Sequence, residues 1–436
     1  MEQIDSGHLR SAVAKAAWRI LPLLTIGYLF AYIDRVNVSF ASTKMNVDLG
    51  FSATVYGFGA GVFYLAYSLV EIPSNILLMR YGARRWLARI MIMWGLIAMA
   101  MIFVRTPMHF YTLRFLLGLS EAGFFPGVIY YLSTWFPARQ RGKAIGMFYL
   151  SNPMAVAVVG AVSTTLLGLD GHAGLKGWQW LFLLQGLPPA IIGLGVLALL
   201  PDSPRNAPWL SEGERSELEQ AIAHDRGPEE HPDAGKLLAI LSDRRVQLLA
   251  ITYALSLSSS TTFILSGPAI LMERTGWKLG EAGSLIAYGG LVAAAMMLFA
   301  GWLTDRRGER FGVLFIALAL DIAGYLAVVV GPSAGTVAAG YIVSQLGRGM
   351  HSTAQVAIWA DVLKDRRMAV GTAAISTLGN LATWLLPIGF GAMKDATHSY
   401  AAGLWLMPLF NVLALLTAIL LYRAVSGADL SKKANI

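Results

Sequence analysis

The chain of 436 residues contains no cysteine and few charged side chains. Without cysteine it can form no disulfide, and it offers no thiolate for catalysis, redox chemistry or an iron–sulfur cluster. Only 14% of its residues are charged, whereas an ordinary soluble domain carries about a quarter. This deficit, together with a hydrophobic content of 56%, excludes a soluble globular protein.

Motifs of the common enzyme classes are also missing. The seven histidines show no metal-binding spacing, and there is neither a G-x-S-x-G nucleophile motif nor a phosphate-binding P-loop. The N-terminal residues lack a short apolar region with a signal-peptidase site, so we expect the first apolar run to be an uncleaved helix. The sequence therefore predicts no enzyme and no cofactor or metal.

What the sequence does contain is a series of apolar runs long enough, at about 20 residues, to cross a bilayer. The predicted fold class is an all-α membrane protein with twelve transmembrane helices, called spans 1 to 12. They are predicted at 18–41, 55–79, 86–105, 108–136, 143–168, 178–200, 245–272, 280–303, 311–331, 335–362, 368–393 and 399–423.

The basic residues predict the orientation of these spans. The formal net charge is +8, but the Lys and Arg residues cluster in alternate loops and not in one patch that would bind nucleic acid. By the positive-inside rule, those loops and both termini lie in the cytoplasm. Examples are Arg84, Arg139, Arg307, Arg367 and Lys432.

The segment between spans 6 and 7 divides the chain into two halves. Ser211 and Glu214 have the spacing of a capping box, which predicts a short surface helix that ends near Asp225. The predicted parts are a cytoplasmic tail (1–17), a six-helix bundle (18–200), a cytoplasmic loop (201–244), a second six-helix bundle (245–423) and a C-terminal tail (424–436).

Two loop motifs recur at nearly the same offset along the chain. "NILLMRYGARRW" (75–86) resembles "GWLTDRRGERFG" (301–312), and "RGKAIG" (141–146) resembles "RRMAVG" (366–371). These matches indicate internal duplication and hence two pseudo-symmetric bundles, an architecture typical of secondary transporters.

Charged side chains inside the spans are expensive and indicate function. They are Asp34, Arg35, Glu71, Arg114, Glu121 and Arg348. Asp34 and Arg35 are neighbours, about 100° apart around a helix, so they do not face each other. Arg35 shares its face with Tyr28, Tyr32 and Ser39, and a cation flanked by hydroxyl groups suits a carboxylate ligand.

Arg114 and Glu121 lie on one face of span 4, about 10 Å apart along the helix axis, too far for a direct salt bridge. We therefore predict that Arg114 pairs with Asp34, and that Glu121 has no close cation and is the more easily protonated carboxyl. The alternative is that these charges are structural pairs that hold the bundle together.

Other spans carry polar stripes with open interpretations. Tyr67 could reach the cavity, whereas Glu71 could equally anchor a loop. Arg348 is either a second anion ligand or the partner of a carboxylate, on a stripe of span 10 that includes Trp359. The Ser/Thr-rich part of span 7 either lines the substrate path, with a break at Gly267-Pro268, or forms a packing face.

Several longer motifs resemble one known family. "YIDRVNVSFA", "EIPSN", "RFLLGLSEAGFFPG", "WFPARQRGKAIGMF" and "GWQWLFLLQGLP" resemble the anion:cation symporter family of the major facilitator superfamily, most of all its bacterial tartrate-, phthalate- and hydroxyphenylacetate-type permeases. The likeness covers nearly the whole chain and implies a multi-pass protein of the bacterial inner membrane.

The resemblance also implies roles for particular residues. Proton coupling would fall to Asp34 and Glu121 with Arg114 as partner, and the substrate carboxylate would bind Arg35. Tyr32, Tyr67, Asn152 and Asn380 would line the substrate site, where the alternative for each Asn is a helix-packing hydrogen bond. The gating loops would use Arg80, Asp305 and Arg306; Met79 stands where the superfamily usually has Asp, so Glu71 is a candidate replacement.

The sequence thus predicts a monomer that imports a small organic carboxylate with protons by alternating access. The substrate is a sugar acid, a tartrate-like acid or an aromatic acid. Span 5 lacks the G-P-x-x-G-G run of drug/proton antiporters, which favours uptake over efflux. The alternatives are sodium-coupled or exchange transport of organic anions, a membrane-embedded enzyme and a sensor.

Overall fold

The computed structural model describes residues 7–225, 242–363 and 368–433, which form helices and short connections without a strand. Helices are expected because a bilayer offers no partner for unpaired backbone groups. The spans are Gly7–Leu49, Ala53–Tyr81, Ala83–Ala100, Pro107–Glu121 with Phe124–Ser133, Ala138–Tyr149 with Ser151–Leu167, Gly177–Leu199, Arg244–Thr275, Leu279–Arg307, Arg310–Val330, Ala334–Leu363, Met368–Thr397, and Ala401–Leu404 with Leu406–Lys433.

Among the described residues, ten of these spans are long and apolar enough to cross a membrane. Spans 10 and 11, of 30 residues each, are not among the ten. Span 10 carries the polar stripe that includes Gln345, Arg348 and His351, all of them buried. Its polar side chains therefore face protein rather than lipid.

Span 4 is divided into two helices, where the sequence predicts one continuous span. The first helix ends at Glu121, and Gly123 has a left-handed backbone with φ 88°. A Cβ atom on Gly123 would lie 2.3 Å from the Ser74 Oγ atom, so this crossing requires glycine. The Ser74 hydroxyl donates to the Ala122 carbonyl at 2.7 Å, which satisfies a carbonyl freed by the break. Glu121 therefore sits at a helix end in the interior.

Span 7 is one continuous helix, so the predicted break at Gly267-Pro268 is wrong. The Ser256 and Ser258 hydroxyls donate to carbonyls of their own helix, and Ser259 donates to the Met407 carbonyl. These contacts favour the packing-face interpretation of this stretch.

The predicted surface helix is confirmed and runs over Glu212–Asp225. Its capping box is present: the Glu214 backbone N–H donates to Ser211 Oγ at 3.3 Å, and the Ser211 N–H donates to Glu214 Oε2 at 2.9 Å. The helix packs on span 1, where the Lys15 ammonium and the Ser11 hydroxyl donate to Glu214 Oε1 at 2.7 and 2.6 Å. We call the end of the bundle that carries this helix and Gly7 the terminal face.

The hydrogen bonds from Lys15 and Ser11, with that from the Ser211 backbone, lower the pKa of Glu214 to about 2. The carboxylate is therefore charged at physiological pH. This ion pair ties the central helix to the first bundle.

At the opposite face, the two halves meet closely. Asp395 at the end of span 11 accepts hydrogen bonds from the backbone N–H groups of Ala53 and Thr54 at 2.9 and 2.8 Å. It thereby caps the N-terminus of span 2 from the other half of the chain, where a carboxylate also favours the helix dipole. A Cβ on Gly57 would lie 2.2 Å from the Pro387 carbonyl oxygen, so the backbones of spans 2 and 11 are in contact there.

Candidate substrate and proton site

Arg35 forms an ion pair with Glu121 at the centre of the N-terminal half. The Arg35 Nη2 and Nε atoms lie 2.5 and 2.7 Å from Glu121 Oε1. Glu121 is fully buried, whereas 15% of the Arg35 side chain is exposed. The prediction that Glu121 lacks a close cation is therefore wrong. Spacing within span 4 excluded Arg114 as its partner, but it did not reveal that span 1 supplies one.

Aromatic rings surround the Arg35 guanidinium. Its Cζ atom lies 5.5 Å from the ring centre of Tyr32, 5.4 Å from that of Phe63 and 4.9 Å from that of Tyr67. Such rings stabilise a cation through their negative faces, most strongly where water is excluded. Tyr32 and Tyr67 thus lie beside Arg35, the residue predicted to bind the substrate carboxylate, as the sequence suggests.

Asp34 and Arg114 are both buried, but they form no ion pair within the described residues. Arg114 instead donates to the Gly59 and Ala60 carbonyls at 3.3 and 3.5 Å and lies over the Phe63 ring at 4.9 Å. Asp34 Oδ1 accepts from the Asn37 amide at 3.3 Å, and Asp34 Oδ2 accepts no hydrogen bond from any described residue. The predicted direct pair is therefore wrong.

The Asp34–Arg35 dipeptide does separate its two charges, as helical geometry requires. Arg35 contacts Glu121, while Asp34 lies nearer to Arg114 and Asn37. An incompletely bonded carboxyl in a protein interior is costly in its charged form. Asp34 is thus suited to carry a proton in part of a transport cycle.

Glu71 lies in the interior and not in a surface loop. It is 7% exposed, and its carboxyl lies within reach of Ser376 of span 11, which belongs to the other half. The candidate gating residues of the terminal face are far more accessible: the Arg80, Asp305 and Arg306 side chains are all exposed. The structure does not bring Glu71 together with these three loop residues.

The acid nearest the loop between spans 2 and 3 is Asp202, at the start of the central loop. Its Oδ1 atom accepts from the Arg84 backbone N–H at 3.3 Å and lies 3.2 Å from a Cβ built on Gly82. Asp202 therefore caps span 3 where Met79 replaces the usual acid of the loop.

Arg348 connects the halves on the other side of the site. Its guanidinium donates to Gln345 Oε1 at 3.0 Å and to Asn152 Oδ1, in span 5, at 3.1 Å. This gives Asn152 a partner and places Arg348 across the interior from Arg35. Arg35 and Arg348 both lie close enough to Tyr149 to interact electrostatically with it, so the two arginines line one region.

Trp359 and Asn380 occupy the C-terminal side of this region. The Trp359 ring packs edge-on against Tyr253 at 4.8 Å, and its indole N–H donates to no described residue. Asn380 is half-buried on span 11. An indole N–H without a protein partner is available to an oxygen-rich ligand.

Two acids that join separate helices, one buried and one partly exposed, were missed at the level of sequence. Asp321 Oδ2 lies 2.8 Å from His351 Nδ1, and the two residues are 1% and 6% exposed. A lone Asp in the middle of predicted span 9 was the available signal. Asp395, the interhalf cap, gave no such signal because it lies at the end of a span. Among the described residues, no group of three or more His, Asp and Glu is arranged to hold a metal ion.

A bundle of membrane-length helices with converging charged groups between its two halves defines a multi-pass membrane transporter. The chain belongs to the major facilitator superfamily, whose family model matches residues 24–387 and, in a second match, residues 249–435. It is accordingly a transporter of small substrates and not an enzyme.

Two relatives match nearly the full chain. A putative tartrate transporter of Agrobacterium vitis is 38% identical over 93% of this chain and 94% of the relative. A quinolone resistance transporter of Acinetobacter baumannii is 36% identical over 95% of both proteins.

A solved structure of similar fold is the bacterial homologue of the human lysosomal transporter Spinster, in an inward-facing, unoccupied conformation. It has a TM-score of 0.78 and 18% identity, and the match covers 96% of this chain and 98% of that one. This likeness confirms the predicted all-α fold, and the family model confirms the predicted superfamily.

Proposed function

We propose that this transporter imports a small organic carboxylate together with protons across the bacterial inner membrane. The observation that carries the proposal is the ion pair between Arg35 and Glu121. Arg35 is the cation that best suits a substrate carboxylate, yet a protein carboxylate already occupies it. A proton on Glu121 would neutralise that competitor.

Competition for Arg35 couples the two fluxes. With Glu121 ionised, a substrate anion must displace a bonded carboxylate and leave it buried without a cation, which is unfavourable. With Glu121 protonated, the guanidinium becomes available to a bidentate carboxylate while Tyr32 and Tyr67 remain beside it. Substrate and proton therefore bind in the same state of the protein.

Asp34 is the second proton carrier in this proposal. It is 2% exposed, and one of its oxygens lacks a partner among the described residues. Arg114, held by backbone carbonyls beside it, would favour the release of that proton once the site opens to the more alkaline side.

The orientation follows from the positive loops, which place the terminal face and both termini in the cytoplasm. The opposite face, closed by Asp395 and by the contact at Gly57, then faces the periplasm. In this arrangement the chain is in an inward-facing state, and the exposed Arg80, Asp305 and Arg306 belong to the open cytoplasmic gate.

The substrate class is an oxygen-rich carboxylate. Asn152, Asn380, Arg348 and Trp359 provide amide, guanidinium and indole groups opposite the tyrosines, which suits hydroxyl groups on a sugar acid or on a tartrate-like acid. The tartrate transporter relative supports this choice. We propose that a monomer carries out the whole cycle, with protons as the coupling ions and no other cofactor.

Transport by reconstituted proteoliposomes tests this function. A thermal-shift screen of sugar acids, tartrates and aromatic acids selects the substrate, and its uptake is then measured under a pH gradient, a sodium gradient or neither. We expect accumulation driven by the pH gradient alone. Accumulation that requires sodium, or exchange without any gradient dependence, would contradict the proton-coupled mechanism.

A second candidate is export of an aromatic acid. The ring cage of Tyr32, Phe63 and Tyr67 favours it, as does the relative named a quinolone resistance transporter. Expression in a drug-sensitive strain distinguishes the two directions. Export predicts a raised inhibitory concentration of quinolones that the Arg35→Ala variant abolishes, whereas import predicts no change in resistance.

A further inference from the structure

Asp321 and His351 form a buried acid–histidine pair that the proton-coupling residues of the N-terminal half do not include. The pair joins spans 9 and 10 at 2.8 Å. A Cβ on Gly347 would lie 2.5 Å from Asp321 Oδ1, so glycine at this position lets the carboxylate approach the backbone of span 10. Asp321 Oδ1 accepts no hydrogen bond from the described residues.

The surroundings of the pair contain few other ionisable groups. Arg348 lies one helical turn before His351 on span 10 and acts on Asp321. Tyr325 of span 9 and, beyond it, Tyr341 of span 10 are the other titratable neighbours, and span 7 contributes the uncharged Ser259. The charge of the Asp321–His351 pair therefore acts on both Arg348 and the Tyr325 hydroxyl.

We propose that the Asp321–His351 pair is a further proton-binding site, located in the C-terminal half, and that its protonation strengthens the attraction of Arg348 for the transported anion. The inference rests on the proposed proton-coupled function. With His351 neutral, the Asp321 carboxylate attracts Arg348 and weakens its field in the cavity. With His351 protonated, the pair is neutral as a whole, and no negative charge on it offsets the positive field of Arg348 in the cavity.

The link to the other half passes through Asn152. Arg348 holds the Asn152 oxygen by a single hydrogen bond of 3.1 Å, and its second contact, to Gln345, lies within its own helix. A shift of Arg348 toward an anion would break or move the bond to span 5. Proton binding at His351 is thus positioned to bias the contact between the two halves.

Charge balance shows why a site here is useful. Within the described spans, the interior of the N-terminal half holds three carboxyls and two guanidiniums, and that of the C-terminal half holds one of each plus the imidazole. With all carboxyls ionised and the imidazole neutral, one negative charge is in excess, and a bound monoanion makes it two. A neutral loaded cavity then needs two protons, which Glu121 and Asp34 can carry, and a dianion needs a third, for which His351 is the available site.

Protonation of His351 can be measured without a substrate. In protein labelled with ¹⁵N-histidine and placed in nanodiscs, the His351 imidazole signals are assigned from their loss in His351→Gln. We expect these signals to change between pH 5 and pH 8, and we expect Asp321→Asn to hold fewer protons at pH 6. The signals of the exposed His109 are assigned from their loss in the matched His109→Gln control. They should be the same in D321N as in the wild type. A His351 signal that stays constant over this range would overturn the proposal.

The transport readout separates this inference from the proposed function. With the acid selected by the thermal-shift screen, the reversal potential gives the number of charges that accompany each anion. We expect H351Q to move one proton fewer than the wild type, and H109Q to match the wild type. If H351Q moves the same number of charges per anion as the wild type, the proton site at His351 is overturned, whereas proton coupling as such stands. A wild type indifferent to the pH gradient overturns proton coupling itself, whatever His351 does.

Discussion

The two halves of the transporter hold their central arginines in different ways. Arg35 in the N-terminal half is bonded to the carboxylate of Glu121, whereas Arg348 in the C-terminal half is bonded to the neutral amides of Gln345 and Asn152. A charge-assisted bond is roughly twice as strong as a neutral one. Arg35 is therefore released only when a proton neutralises Glu121 or a stronger anion displaces it. Arg348 can move at a lower cost in free energy.

This difference indicates a division of labour between the halves. The N-terminal half places its cation, its competing carboxylate and Asp34 on two spans, so that binding and proton transfer occur together. In the C-terminal half, the acid Asp321 contacts His351, which lies one helical turn from Arg348. In the proposed mechanism, one half makes substrate binding depend on a proton, and the other adjusts how strongly the anion is attracted.

Among the substitutions that test this comparison, replacement of Arg35 should have the largest effect, which is a loss of substrate affinity. Arg35→Ala removes a charge-assisted contact worth about 1.5–3 kcal/mol and leaves Glu121 buried without a cation, so we expect substrate affinity to fall about 100-fold. Arg348→Ala should cost about 10-fold. The measurement is equilibrium binding of the selected acid, with Arg35→Lys as the control that keeps the charge. Equal losses in R35A and R348A would remove the asymmetry.

Glu121→Gln should uncouple transport and spare binding. The amide cannot carry the proton and competes less for Arg35, so we expect no accumulation under a pH gradient and normal exchange of substrate across the membrane. Uptake and counterflow in proteoliposomes measure the two properties. Undiminished proton-driven accumulation by E121Q would show that Asp34 alone carries the obligatory proton.

Asp395→Ala should open the face at which the halves are closed. Loss of a helix cap costs about 1 kcal/mol, so we expect the population with that face open to rise roughly fivefold. Because the chain has no cysteine, spin labels at His172→Cys and Ser333→Cys can report the distance between the halves without background labelling.

Glu281→Ala is the matched control for this measurement. Glu281 caps span 8 through the Lys278 N–H at 2.8 Å, at the same face but within one half. The double-labelled E281A protein should keep the distance distribution of the parent. A similar shift in both variants would show that capping in general, and not the interhalf contact, controls the closure.

Glu214→Gln should have the smallest effect, confined to the terminal face. Since the pKa of Glu214 is lowered to about 2, its charge stabilises the docked central helix above the usual carboxyl range, and this contribution disappears as the pH falls toward 2. Lys15 is partly exposed, so the charge contributes about 0.5–1 kcal/mol.

Thermal unfolding of wild type and E214Q as a function of pH measures this contribution. Glutamine preserves the capping box, so the comparison isolates the ionic part. We expect a small difference in Tm at pH 7 that vanishes at low pH. A difference independent of pH would mean that the carboxylate charge contributes nothing.

Sequence reasoning identified the charged residues of the site but paired them incorrectly. The spacing of Arg114 and Glu121 correctly excluded a bond within span 4, and the separation of Asp34 from Arg35 follows from one helix alone. The partner of Glu121 depends on how span 1 lies against span 4. A break at Ala122–Gly123, set by the contact with Ser74, ends the helix at Glu121.

The sequence by itself determined the class of the protein. Apolar length, the low charge content and the scarcity of charges within the spans are local properties, and a bilayer converts them directly into helices. The capping box at Ser211 is equally local, which is why the start of that helix was predicted correctly.

Only the tertiary structure decided which charges meet. The Arg35–Glu121 pair, the Asp321–His351 pair and the cap from Asp395 to span 2 each join different helices. Helical periodicity fixes the direction of a side chain on its own helix, but the neighbour that it meets depends on the rotation and depth of another. Those variables are set by close packing of the helices, at positions such as Gly57, Gly123 and Gly347.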